Sequence, residues 1–364
     1  MTVPVPKKKP ALIAAASLVV LALFASGYCW WNTDLLGAES FCGGRLDRGD
    51  AQAALDSAGR LSQVRVQGDA QHAEFACTLQ RTSRFIGGDE QRVTLGTADE
   101  QGAFPFTTSV WKDPGSRSYF TSGVTGAVSP GGGYVVLPKA CWSKVGGLQG
   151  SQVVRAGDGG VAAVTATVEK GSADQPGLAR LLTRAARQVA EKAGCATPAL
   201  AAAPALAAPS AAHTTDVRNV CGVPGLALPK SVILVGRAEP DTEQVNHGSP
   251  RTWACDLHMA GPAKASVSFA ATSDTSIVQA ATSGTGTMRN LPDHHGVAGP
   301  DQAVLHCGGG DTYFAAHWSS TYEGALLDSV SHSAAAYTQA KNATFQNFLD
   351  ATADAHRCPR VTLP

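Results

Sequence analysis

The 364 residues are 44% hydrophobic and only 16% charged, with 29 Lys plus Arg against 29 Asp plus Glu. A charge balance this even gives no long-range field to gather a polynucleotide, so nucleic acid is excluded as a partner, and the length suits two cores better than one. Of nine cysteines, Cys29 lies in an apolar N-terminal run and the even set of eight behind it points to an oxidising compartment.

Residues 1–10 carry Lys7, Lys8 and Lys9 and read as a cytoplasmic tail. From 11 to 31 no side chain is charged; about 21 residues rising ~1.5 Å each span the ~30 Å hydrocarbon core of a bilayer. Tyr28, Trp30 and Trp31 stand at the far end, where amphipathic rings favour the headgroup level, and the basic cluster stands at the near end. The expectation is a single-pass transmembrane helix with its N-terminus inside. A cleaved signal peptide, with Ala25 and Gly27 as the small pair, and a lipid on Cys29 are the rival readings. The length of the run speaks against the first, and bulky Tyr28 against the second. Residues 32–40 form a short stem.

The rest of the chain repeats. Cys42, Cys77, Cys141 and Cys195 line up with Cys221, Cys255, Cys307 and Cys358, at separations of 35, 64 and 54 against 34, 52 and 51. Each first cysteine opens Cys-Gly. Phe75-Ala76-Cys77-Thr78-Leu79 matches Trp253-Ala254-Cys255-Asp256-Leu257, an aromatic-Ala-Cys-x-Leu strand. Arg92–Leu95 and Ser266–Phe269 predict the next strand, Tyr134–Cys141 and Gln302–Cys307 another, and Val161–Val168 and Tyr313–Ser319 the last. A helix closes each copy. Leu178, Leu181, Leu182, Ala185 and Val189 make the apolar stripe of the first, opened by Asp174 and Pro176 and stopped by Gly194. Asn342 is the expected cap of the second, and Phe345, Phe348 and Leu349 its buried face. Asp50–Ala58 predicts a short helix in the first copy; the second has an extended Ser231–Gly236 instead.

The fold class expected is therefore α+β: a transmembrane helix, then two tandem repeats, 41–195 and 216–364, each an antiparallel sheet covered by a C-terminal helix. Residues 196–215, rich in Ala and Pro, read as a semi-stiff linker. Three pairings are open within each copy. The preferred one joins Cys42 to Cys77, Cys141 to Cys195, Cys221 to Cys255 and Cys307 to Cys358, tying a terminal segment or helix end to a strand. Zinc is the rival, but no Cys-x-x-Cys pair occurs, and no metal or other cofactor is expected.

Gly-x-Ser-x-Gly, His-Glu-x-x-His and phosphate-loop patterns are absent. Gly131–Gly133 and Gly308–Gly310 read as turns. Eight of the ten histidines fall in the second copy. A bridge from Cys307 to Cys358 would bring His306 and His356 into one neighbourhood, so these two are candidate binding residues. Trp111, beside Pro114 and Gly115, is a third. Asp293-His294-His295 reads as a solvated turn.

The basic start, single span, Ala/Pro linker and Cys-Gly plus aromatic-Ala-Cys-x-Leu modules resemble uncharacterised membrane-anchored extracytoplasmic proteins of high-GC actinobacteria, streptomycetes above all. That resemblance carries no catalytic residue with it. The expected function is a non-catalytic, membrane-tethered binding, sensing or scaffold module, with membrane lipid and an envelope protein or cell-wall component as partners. The alternative is an envelope hydrolase using histidines of the second repeat.

Overall fold

The computed structural model describes residues 9–34, 37–68, 72–83, 90–101, 113–121, 123–155, 160–195, 200, 204–228, 240–260, 265–283 and 288–364. Trp111 and the Ser231–Gly236 stretch lie outside them.

Helix α1 (Lys9–Asn32) leads into the first lobe. A two-stranded ribbon, β1 (Ser40–Phe41) and β2 (Leu46–Asp47), precedes α2 (Arg48–Ala54), whose first turn is capped by Asp47. Next come β3 (Arg60–Gln67), β4 (Ala76–Thr82), β5 (Gln91–Gln101), β6 (Ser118–Phe120), β7 (Gly126–Ser129) and β8 (Gly132–Val136). Helix α3 (Lys139–Trp142), a small hairpin of β9 (Gly147–Gln149) and β10 (Gln152–Val154), strand β11 (Gly160–Lys170) and α4 (Gln175–Lys192) complete the lobe. The segment between lobes supplies β12 (Leu206–Ala207) and β13 (His213–Thr214). The second lobe runs β14 (Pro240–Asn246), β15 (Thr252–Met259), β16 (Ser266–Thr272), α5 (Thr275–Ser283), β17 (Arg289–Asn290) and β18 (Gly296–Ala298). It ends with β19 (Gln302–Cys307), β20 (Gly310–Trp318), α6 (Ser320–Ser329) and α7 (Ala334–His356).

Two eight-stranded antiparallel sheets result, in the orders β12-β6-β7-β8-β11-β5-β4-β3 and β13-β14-β15-β16-β20-β19-β18-β17. Their shared core runs in one order: β3-β4-β5-β11-β8-β7-β6 matches β14-β15-β16-β20-β19-β18-β17. Even the register agrees, since Cys77 faces Leu95 as Cys255 faces Phe269. Cys42 and Cys221 both adopt a left-handed conformation, φ 55° and 62°, each followed by a glycine that does the same.

Strand alternation divides the side chains into three cores. In the first lobe Leu95, Val135, Ala162 and Val164 pack beneath α4, while Tyr134, Val136 and Val161 point the other way. In the second lobe Cys255, Leu257, Phe269 and Phe314 pack beneath α7, while Ala254, Ala270, Tyr313 and Ala315 point the other way. The outward-pointing sets meet in a third core, shared between the lobes and flanked by Ile277 and Ala281 of α5. The layers are thus helix, sheet, sheet, helix. Four disulfides, Cys42–Cys77, Cys141–Cys195, Cys221–Cys255 and Cys307–Cys358, each stay within one lobe. Such a set belongs to a domain folded in an extracytoplasmic or secreted setting.

Several local expectations give way. Within the tract expected to link the lobes, the described residues are built into them, β12 extending the first sheet beside β6 and β13 the second beside β14, with Leu200 buried in the first core. Alanine is small enough to lie flat on a sheet edge, which is why a tract too slight for its own core can still be absorbed. The strand expected to reach Cys141 stops at Val136, because Pro138 turns the chain into α3. The second closing helix starts well before Asn342, with Ser333 Oγ accepting from Ala336 N at 3.3 Å. The start of the stem is docked on the first lobe through Asp34. Asp34 accepts from Leu61 N at 2.6 Å and Gln52 Nε2 at 2.8 Å, and its carboxylate meets Arg81 at 3.5 Å. Among the described residues no helix is long and apolar enough to cross a membrane.

Candidate functional site

A cleft of about 440 Å³ opens in the second lobe between the end of α5 and the outer strands β17, β18 and β19. Its floor is aliphatic, Leu291 and Val304 being 5% and 3% exposed. Its rim is polar: Thr282 from α5, Asn290 from β17, Asp293 and His294 from the turn before β18, and His306 with Asp311 from the β19–β20 hairpin.

The hairpin explains the last pair. With Cys307 opposite Gly310 and Gly308-Gly309 at the bend, His306 falls opposite Asp311. Its Nδ1 lies 2.7 Å from Asp311 Oδ1. With Asp311 ionised and the imidazole neutral, Nδ1–H donates and Nε2 is left as an acceptor, the arrangement of an oriented imidazole. The turn across the cleft, Pro292–His294, carries two successive non-glycine residues with positive φ, Asp293 at 56° and His294 at 58°. Each such residue costs roughly 1–2 kcal/mol relative to ordinary backbone. Thr282 Oγ1 donates to Val278 O at 2.6 Å, so its lone pairs remain for a ligand.

Of the other histidines singled out by the sequence, His356 does not join His306. The Cys307–Cys358 bridge brings their backbones near, but the His356 ring stands edge-on to Phe314 at 5.4 Å, and burial holds its pKa below the usual imidazole range. Adjacent strand positions face opposite ways, which puts His306 at the cleft and Cys307 against the core. His317 is half-buried at the lobe seam. Burial lowers its pKa, against the pull of Glu323 and Asp301. Among the described residues no group of three or more His, Cys, Asp or Glu side chains is placed to hold a metal ion.

The seam has its own polar centre, unseen from sequence. Asp256 is 1% exposed, yet its carboxylate accepts from Ser268 Oγ at 2.7 Å and from Ser116 N at 3.0 Å, with Gly115 N also donating. Gly115 has to be glycine, because a Cβ there would come within 2.4 Å of Asp256 N and Gln244 O. Desolvation pushes the Asp256 pKa up to about 7, against the hydrogen bonds that favour its ionised form. Asn246 Nδ2 donates to Arg117 O at 2.6 Å, and Thr125 Oγ1 donates to Asp274 Oδ1 at 2.6 Å. These contacts fasten the lobes together around the shared apolar core.

Sequence reasoning found His306 but not Asp311, Thr282 or Asn290. The signal for Asp311 was present, since a hairpin centred on Gly308-Gly309 fixes its partner; Thr282 and Asn290 come together only through the fold. No family profile, curated protein or solved structure matches the chain.

Proposed function

We propose that the protein is an extracytoplasmic binding protein held at a membrane through α1, and that the cleft around His306 is where it binds. The cleft carries the reading: a pocket with a buried aliphatic floor and converging polar side chains is the usual form of a small-molecule site. Two observations support the setting. The four disulfides fit an oxidising space. Leu18, Val19, Leu21, Leu23 and Phe24 of α1 are all exposed, Phe24 by 74%, and lipid would cover what water would not tolerate. The N-terminal lysines, Lys7, Lys8 and Lys9, then lie on the inner side.

Two measurements test this. Protease added to intact, wall-stripped cells of the native host should digest everything beyond Asn32; full protection refutes the orientation. A photoreactive amino acid replacing Asn290 should yield, on irradiated cells, an adduct of defined mass on the cleft. No adduct at any light dose removes the binding reading.

The His306–Asp311 pair also favours a second reading, a hydrolase in which His306 Nε2 removes a proton from water. Turnover of envelope extracts that disappears in His306→Asn would establish it.

A further inference from the structure

The side chains on the rim of the cleft offer more acceptors than donors, the uncommitted donors being the Asn290 amide and one ring N–H of His294. Asp311 has one oxygen engaged by His306 and the other free to accept, His306 presents Nε2, and Thr282 has already committed its proton to Val278 O. Asp293 adds a second carboxylate, and neither its side chain nor that of His294 has a hydrogen-bond or ion-pair partner among the described residues. No lysine or arginine is among the lining residues, so with neutral imidazoles the site holds two negative charges. A carboxylate or phosphate ligand would meet repulsion and find few donors. A ligand bearing N–H and O–H groups would satisfy every free lone pair.

The floor adds a shape. Leu291, Val297 and Val304 offer aliphatic surface with no aromatic ring, suited to the C–H face of a small saturated ring. The volume of about 440 Å³ is at the small end of ligand sites, which run ~300–1,000 Å³. The left-handed Asp293 and His294 hold the turn in place at some conformational cost, and the side chain so displayed is a carboxylate facing this cleft.

Resting on the binding reading, we infer that the cleft takes a small hydroxylated molecule carrying a free amino group, of the amino-sugar class. The ammonium group sits between the Asp293 and Asp311 carboxylates. Hydroxyls donate to His306 Nε2 and Thr282 Oγ1, and the ring's C–H face rests on Leu291 and Val304.

Three probes on one ring skeleton test it: glucosamine, glucose and glucuronate, titrated into the full-length protein in detergent while the His306 and His294 ring resonances are followed by NMR. Glucosamine is expected to shift both resonances and to bind at least tenfold tighter than glucose, with glucuronate inert. Asp311→Asn and Asp293→Asn should each erase the advantage over glucose. Glucuronate binding as well as glucosamine overturns the inference while leaving the cleft a binding site. Silence from all three probes alongside an Asn290 adduct in cells overturns the ligand class alone; silence in both experiments removes the binding site as well.

Discussion

The two repeats place a hydrogen-bonded pair of polar side chains at the same ladder position and give the pairs opposite surroundings. In the first, Thr78 and Thr94 share a hydrogen bond of 2.8 Å on a half-buried stretch of sheet where Glu169 still reaches Thr94. In the second, the equivalent residues are Asp256 and Ser268, 2.7 Å apart and sealed beneath the Pro114–Ser116 turn of the first repeat. A duplicated fold thus became a two-lobed body by asymmetric use: one copy offers a turn, the other a carboxylate to receive it. The outer ends diverge in the same way. Following the ladders across the repeat, His306 and Asp311 correspond to Pro138 and Val161. Where the second copy turns on two glycines, the first inserts α3 and the β9–β10 hairpin. The cleft is therefore a property of one copy alone.

The contrast at the seam is sharpest against pH. Asp256 titrates at about 7 in the folded protein against an ordinary 3.8, so its ionisation opposes folding. Its contribution is fully present below pH ~4 and is lost as pH rises through about 7, a span of up to about 4 kcal/mol. Urea midpoints should fall across that window more steeply in the native chain than in Asp256→Asn, while Thr78→Val leaves the slope as it was. A level native profile would erase the distinction between the repeats.

Disulfides test the opposite claim, that the copies are alike. Replacing Cys42 and Cys77 by Ala, or Cys221 and Cys255, opens loops of similar length, 35 and 34 residues. Each should cost about 4 kcal/mol at most by loop entropy, and the two losses should agree within ~1 kcal/mol by denaturation. Next in size is Gly115→Ala, whose extra carbon has to displace the second lobe's backbone. A loss of ~1–3 kcal/mol is expected. Limited proteolysis should then cut at the seam, whereas Gly150→Ala, with open space around it, should leave the seam protected. The smallest effect belongs to Asp311→Asn: the His306 and Asp311 side chains are 56% and 50% exposed, so stability should change by no more than ~1 kcal/mol while ligand discrimination is lost.

What could be read from the sequence was whatever local spacing encodes. The Cys-Gly and aromatic-Ala-Cys-x-Leu modules revealed the duplication, and the stripe from Leu178 to Val189 revealed α4, because period and composition survive without neighbours. The start of α7 was hidden, since Ser333 and Asn342 are both chemically able to cap and only packing selects between them. The two edge strands within the Ala/Pro tract leave no mark in the sequence for a related reason: two residues have no periodicity to detect. Asp256 was invisible as a seam residue, because its burial depends on a turn 140 positions away in the other copy. At the cleft, His306 stood out by composition, while its partners were assembled by strand order.

The junction between α1 and the first lobe has a mechanical meaning. Arg60 donates to the Trp30 carbonyl at 3.0 Å and lies over the Trp30 ring, and Ser83 donates to Asn32 at 2.9 Å. With Asp34 held by the Leu61 backbone N–H and the side chains of Gln52 and Arg81, the helix leaves the lobe as a shaft fixed in its socket. Contacts at both Trp30 and Asn32 tie the direction of that shaft to the orientation of the lobe.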